Sequence, residues 1–363
     1  MVIVLIIVVI IAAVFAFMQQ EKFGSIAKGK RLESIKQSFN FREGKFINES
    51  FTPDLTEGVG YYKVMKEFFF NDNKRKSPSA KLPSIKTDLH ALPLEEDVFI
   101  WFGHSSYFMQ LEGRNILVDP VLSGAASPLP FSVKSFEGAN IYTTDDIPEI
   151  DFLFVSHDHW DHLDHATIKA LKPKINKIIC GLGTGAHFEK WGFTTENIIE
   201  KDWNEHFSLG EGFTVDTVPA RHFSGRGFKR NNALWLSFIL QTPSKKIFIG
   251  GDSGYDNHFK KAGDKFGPFD IAILECGQYD KSWKYIHMMP EEVLQAAEDL
   301  QANKIIPVHW GKFKLANHDW DKPIKELLYF NAKKNIHILT PMIGEKLRLF
   351  KEQGFTKWWE EVN

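Results

Sequence analysis

FLFVSHDHWDHLDH, residues 152–165, runs from a buried-type apolar strand straight into four histidines and three aspartates. His157 and His159 are two apart, so on an extended backbone they project to the same side. Asp161 and His162 follow after the chain has turned, and approach from another direction. Imidazole and carboxylate are both zinc ligands, and two pairs of them invite two ions instead of one. A crowded polar loop would explain one stray histidine; it does not explain this spacing.

Other apolar runs deliver the same kind of residue. FTVDTVPARHF (213–223) ends at His222, KIFIGGDSGY (246–255) at Asp252, and KIIPVHWGKF (304–313) at His309. Open α/β sheets bind ligands beyond the carboxyl ends of their strands. His157, His159, His162, His222 and His309 with Asp161 and Asp252 suffice for two ions with room for solvent. Two ions about 3.5–4 Å apart can share a hydroxide that is available near neutral pH.

Around these motifs the pattern is strands first, then strands alternating with helices. DVFIWFGHSSYFMQLEGRNILVDP (97–120) holds apolar runs near 98–102, 107–111 and 116–118, with Glu112-Gly113-Arg114-Asn115 as a hairpin turn. ATIKALK (166–172) and PEEVLQAAEDLQAN (290–303) have helical spacing. Layered α/β architecture with helices outside is the expectation.

The chain has 363 residues, 43% hydrophobic and 25% charged, which is ordinary globular composition. A formal charge of −2 offers no basic field for nucleic acid. Cys180 and Cys276 are far apart at the ends of apolar runs; they read as buried thiols, and no disulfide framework exists.

Residues 2–18 are 17 consecutive apolar residues without a charge. As a helix they span about 25 Å, near the lower limit for crossing a bilayer. With no basic residue before them, a signal-anchor or transmembrane segment over 1–18 is favoured; export after signal cleavage is the alternative. Lys22, Lys28, Lys30, Arg31 and Lys36 follow, which places the rest of the chain on the cytoplasmic side of the membrane. Residues 19–95 read as a tether and packing arm, 96–350 as the domain that carries the candidate ligands, and 351–363 as a C-terminal tail. Within the arm, YYKVMKEFFFNDNKRK (61–76) reads as a short helix whose Tyr and Phe face the core, with contact to an anionic membrane surface as the other reading.

The motifs together resemble the metallo-β-lactamase superfamily, whose His-x-His-x-Asp-His signature HDHWDH (157–162) matches. Within it the chain resembles the branch of N-acylphosphatidylethanolamine-hydrolysing phospholipase D and its bacterial relatives. WFGHSS, LVDPVLSGAASP, SHDHWDHLD, PARHFSGRG, GGDSGY, FGPFD, HMMPEE and PVHWGKF carry the match, from about 98 to 320. The resemblance implies a four-layer αβ/βα sandwich behind the N-terminal membrane-anchor helix, with two zinc ions at its edge; other divalent transition metals remain open. It assigns His157, His159 and His222 to one ion and Asp161, His162 and His309 to the other, with Asp252 bridging. A metal-bridging hydroxide would attack phosphorus or a carbonyl carbon, Asp161 and Asp252 being part of the catalytic machinery. Asp119 would orient the ligand loop, His287 would contact substrate or protonate the leaving group, and His104 would lie nearby. His165, His187, His206, His318 and His337 take a structural reading.

The implied function is phosphodiester hydrolysis of a phospholipid such as N-acylphosphatidylethanolamine. Two departures from the branch, Cys276-Gly277-Gln278-Tyr279-Asp280 and Trp235-Leu236-Ser237, are expected to shape the pocket and leave the substrate open. A lactonase or other ester hydrolase on the same metal site is the alternative, and a membrane-tethered non-catalytic binding protein is the alternative of another class. GLGTG (181–185) mimics a dinucleotide fingerprint, but repeated βαβ units are lacking. No G-x-S-x-G elbow exists for a serine hydrolase.

Overall fold

A computed structural model describes residues 1–70 and 72–362. Thirteen strands follow one another in two groups. The first is β1 Val98–Trp101, β2 Tyr107–Leu111, β3 Arg114–Val118, β4 Ile150–Val155, β5 Ile175–Gly181 and β6 Ile198–Lys201. The second is β7 His206–Gly210, β8 Phe213–Pro219, β9 Leu236–Gln241, β10 Lys246–Ile249, β11 Ile271–Glu275, β12 Lys304–Val308 and β13 His337–Ile338. A last strand, β14 Lys346–Arg348, returns to the first group beside β1, so each sheet has seven strands. Both sheets repeat one plan. Antiparallel pairs β1-β2-β3 lead into parallel pairs β3-β4-β5-β6, and antiparallel β7-β8-β9-β10 lead into parallel β10-β11-β12-β13.

Alternation along the strands builds the layers. Phe99, Trp101, Met109, Ile116 and Phe154 face the second sheet, and the Phe154 ring meets Phe238 across the gap with centroids 5.0 Å apart. Their neighbours Ile100, Phe108, Leu117, Leu153 and Val155 face the other way, against Ile168 and Leu171 of helix α4 (His165–Leu171) and Phe188 of α5 (Gly185–Lys190). On the far side of the second sheet lie α6 (His258–Phe266) and α7 (Pro290–Asp299), whose Phe259, Val293, Leu294 and Ala297 join the main core. The result is helix, sheet, sheet, helix, as the motifs imply. Cys180 and Cys276 are buried and free.

The β2–β3 hairpin is tighter than expected. Arg114 and Asn115 pair in β3, and Glu112-Gly113 alone make the turn, with φ of 46° and 77°. Positive φ at both central residues is the turn that matches strand twist.

At the periphery the structure gives the transmembrane reading no support and revises the packing expected of helix 61–70. The N-terminal helix α1 forms over Val2–Met18, but among the described residues no helix is long and apolar enough to cross a membrane. Its 17 residues rise about 25 Å, against a hydrocarbon thickness of about 30 Å. In helix α3 (Tyr61–Phe70), Tyr61, Tyr62 and Phe70 are exposed, not turned to the core, while the Phe68 and Phe69 side chains of the same expectation lie outside the described residues. Two of the three cations after it are taken up by structure, Arg75 pairing with Asp319 and Asp321 and Lys76 donating to Asn317, while Lys74 is exposed; Asn71 lies outside the described residues. At the C-terminus, Trp358 and Trp359 are fully buried, Trp358 stacking on Trp310 at 5.2 Å, so the described part of the 351–363 tail packs against the core, and Asn363 lies outside the described residues.

Candidate metal centre

The site lies at the carboxyl ends of the strands of both sheets. β4 hands over to His157 and His159, β8 to His222, β10 to Asp252 and β12 to His309, while β3 runs into Asp119 and β1 into His104. His104, Asp119 and His309 have φ of 56°, 42° and 69°, a conformation rarely adopted by residues with a side chain. Such strain collects where a side chain must be aimed. Gly251, before Asp252, has φ +61°, and a Cβ there would meet Ser156 at 2.7 Å. That glycine lets the two sheets' ligand loops touch.

Seven side chains converge. His157 Nε2 and His222 Nε2 stand 2.8 and 3.2 Å from His159 Nδ1. Asp252 Oδ2 is 3.1 Å from His162 Nε2, 3.2 Å from His309 Nε2, 3.7 Å from His222 Nε2 and 3.9 Å from His157 Nε2. One carboxylate therefore stands between two histidine groups. Asp161 Oδ2 lies 3.5 Å from both His162 Nε2 and His309 Nε2 and accepts a hydrogen bond from His104 Nε2 at 2.8 Å.

The outer nitrogens are held by fixed partners. Asp119 accepts from the Ser156 N–H at 2.8 Å, from Ser156 Oγ at 2.6 Å and from His162 Nδ1 at 2.8 Å. His222 Nδ1 donates to the Ile286 carbonyl at 2.9 Å, which leaves Nε2 for the cluster. Glu275, the last residue of β11, lies 3.1 Å from His309 Nδ1 and 2.8 Å from His287 Nδ1. Partners of this kind fix tautomer and ring orientation in metal-binding histidines.

Chemistry of the donors suits a cation. His162 Nε2, His309 Nε2 and Asp252 Oδ1 are buried without a hydrogen-bond partner, a cost of about 1–3 kcal/mol each that coordination would relieve. Burial drives His157 and His222 well below the usual imidazole range and His159 down to about 4, favouring the neutral form that binds metal. For His309 burial also opposes charge, but Asp252, Asp161 and Glu275 outweigh it and push it up to about 10. Asp252 is likewise held well below the carboxylate range, burial being overcome by His162 and His309. So much buried carboxylate is a demand for positive charge.

A cavity of about 490 Å³ opens on the cluster. His159, Asp161, His222, Asp252, His287 and His309 line its floor; Phe223, Trp283, Ile286 and Leu315 line its walls, with Leu55, Val64 and Met65 from the N-terminal arm. Gln278 reaches the cavity, its N–H bonded to His318 Nε2 at 2.9 Å, so His318 supports a pocket residue. Trp235-Leu236-Ser237 do not line it. They are buried at the start of β9, Trp235 Nε1 donating to the Ala220 carbonyl and Ser237 Oγ to the Gly250 carbonyl. His187 is similarly more than packing: it is 3.1 Å from Asp158, inside the ligand loop. His165 lies 3.7 Å from Glu21, His206 3.1 Å from Asp216, and His337 sits exposed in β13.

Sequence reasoning missed three contributors. Glu275 was hidden as the polar end of an apolar strand; its position beside CGQY was the available signal. Arg226, buried, donates to the carbonyls of Asp158, Leu163 and Lys22 and lies 3.9 Å over the Trp160 ring. Asn48 of the arm brackets the His222 backbone, donating to its carbonyl at 2.8 Å and accepting from its N–H at 3.1 Å. No local pattern announces either contact.

The layered fold and this donor set define a class, the metal-dependent hydrolases built on paired α/β halves. A family model described as a β-lactamase superfamily domain matches residues 114–310. An uncharacterized protein of Mycobacterium tuberculosis is 33% identical over 332 residues, covering 89% of this chain and 88% of its own. N-acyl-phosphatidylethanolamine-hydrolyzing phospholipase D 1 of Caenorhabditis elegans is 32% identical over 251 residues, 63% of this chain and 68% of that one. Among solved structures, Igni18, a metallo hydrolase from Ignicoccus hospitalis, shares the fold with a TM-score of 0.54 at 18% identity, over 69% of this chain and 97% of that one. The chain belongs to the metallo-β-lactamase superfamily and is a metal-dependent hydrolase of that fold.

Proposed function

We propose that this hydrolase cleaves a phosphodiester of a membrane phospholipid, N-acylphosphatidylethanolamine being the type substrate, at a pair of zinc ions. The observation that carries the two-ion reading is the placing of Asp252 Oδ2 within 3.1–3.9 Å of four histidine nitrogens from two groups. His157, His159 and His222 would hold one ion, Asp161, His162 and His309 the other, and Asp252 both. Bound there, such ions supply Lewis acidity and a water acidified into the neutral range. The relatives named for N-acylphosphatidylethanolamine hydrolysis support the substrate class.

The chain's own residues divide the remaining work. Asp119 and Glu275 hold His162 and His309 in register, and His104 holds the Asp161 carboxylate. His287 lines the cavity with Nδ1 on Glu275, which leaves Nε2 to pass a proton to the departing alcohol. Phe223, Trp283, Ile286 and Leu315 keep water from the reacting group and offer apolar surface to a lipid. Helix α1, whose residues 2–16 are all exposed, supports work at a lipid surface that the helix touches without crossing.

A side-by-side assay decides the substrate. The metal-loaded chain is given N-acylphosphatidylethanolamine, bis(p-nitrophenyl) phosphate and a homoserine lactone. Release of phosphatidate from the first is expected, and turnover of the lactone alone would overturn the phosphodiester reading in favour of lactonase chemistry.

A further inference from the structure

The cavity over the metal centre has one permanent cation among its described lining residues, Arg230. Its guanidinium lies 4.0 Å over the Phe223 ring. That ring in turn sits 4.4 Å from the His159 ring and 4.7 Å from the His222 ring, so Phe223 separates the charge from the candidate ligands by one ring. The lining also carries Asp54, Asp161 and Asp252. Two of these belong to the metal cluster. The third, Asp54, comes from the N-terminal arm and occupies Arg230, accepting from Nη1 at 2.8 Å.

Asp54 is also the anchor of the arm's outer wall. Its Oδ2 accepts from the Tyr61 hydroxyl at 2.9 Å, and Tyr61 begins helix α3, whose Val64 and Met65 line the same cavity. The Asp54–Arg230 pair is weakly held, with side chains 49% and 40% exposed. An exposed pair of this kind contributes about 0–1 kcal/mol. A phosphate-type anion, which guanidinium can grip through two parallel hydrogen bonds, is a stronger partner than one carboxylate oxygen.

We propose that Arg230 is the receptor for an anionic oxygen group of the substrate, and that Asp54 holds that seat until the substrate displaces it. Arg230 then selects anionic substrates over neutral ones, and the apolar face of α3 is released or reset by the same exchange. The proposal rests on the phosphodiester reading above and deepens it by naming the residue that meets the charge.

Two explanations of the pair make opposite forecasts. If Asp54 and Arg230 only tie down the arm, removing either partner frees it, and both variants shift substrate affinity in the same direction. If Asp54 competes for Arg230, the two variants shift it in opposite directions. The experiment measures KM and kcat of the metal-loaded full chain on a short-chain N-acylphosphatidylethanolamine, for wild type, Arg230→Ala, Asp54→Asn and the double variant. In parallel, calorimetry follows binding of hexyl phosphate to the same four proteins. Arg230→Ala is expected to raise KM and weaken hexyl phosphate by about tenfold, the scale of one charge-assisted hydrogen bond. Asp54→Asn is expected to lower KM and tighten hexyl phosphate by roughly threefold, and the double variant to match Arg230→Ala. Shifts of the same sign in the two single variants, or none, overturn the proposal while leaving phosphodiester turnover standing. Absence of any phosphodiester turnover, with opposite shifts in hexyl phosphate binding, would sink the proposed reaction and keep the anion seat.

Discussion

Among single residues, the carboxylates that touch histidines hold the site together. Asp252 meets both histidine groups, and Asp252→Ala should abolish turnover and release metal while the secondary structure stays intact, checked by circular dichroism and metal analysis of the same sample. Glu275 acts one bond further out, holding His309 and His287 together. Glu275→Gln should weaken metal binding and lower kcat by about 10–100-fold, the usual cost of losing such a partner; a competitive chelator titration reads the first effect and steady-state kinetics the second. The seven candidate ligands were legible because strand ends and the H-x-H-x-D-H spacing put them in view. Glu275 was less so, since a carboxylate closing an apolar strand resembles any polar strand end until the fold brings β11 beside β12.

At the scale of the element, the ligand loop between β4 and α4 is clamped from outside. Arg226 donates to carbonyls at both ends of that loop and to Lys22 of the arm, and no residue of the chain near it in sequence foretells this. Arg226→Ala would leave those buried carbonyls unsatisfied and should cost about 3 kcal/mol in a denaturant melt. Arg226→Lys should recover little, because an ammonium cannot span three carbonyls as the planar fork does. Strands and helices of the core were readable from apolar runs and 3.6-residue spacing, whereas the opposite facing of Phe154 and Leu153 is seen only in the fold. The arm was not. Its residues Asn48 and Asp54 reach His222 and Arg230, more than a hundred positions away, and aromatics such as Tyr61, Tyr62 and Phe70 read as core when their partner surface is unknown. In α3 the outward Tyr62 and the cavity-lining Val64 lie on one short helix, and composition alone does not sort them.

In the whole molecule, two similar halves meet so that the first supplies four of the seven donors and the second supplies three. Removing the metal should therefore loosen the contact between halves: at ion concentrations a thousand times the dissociation constant, binding contributes about 4 kcal/mol, and chelation should lower the thermal midpoint by several degrees in calorimetry. Helix α1 contributes no buried residue to this body. A chain lacking residues 2–18 should keep its turnover of soluble bis(p-nitrophenyl) phosphate and lose co-sedimentation with phospholipid vesicles; unchanged sedimentation would remove α1 from the lipid reading. In the proposed reading, the HDHWDH loop and the distant strand ends form one two-ion hydrolytic centre. Titrating zinc into metal-free protein while recording hydrolysis of N-acylphosphatidylethanolamine tests it most directly. Turnover should rise to a plateau at two equivalents per chain and stay absent in Asp252→Ala, whereas full turnover in the metal-free chain, or a plateau at one equivalent, would contradict it.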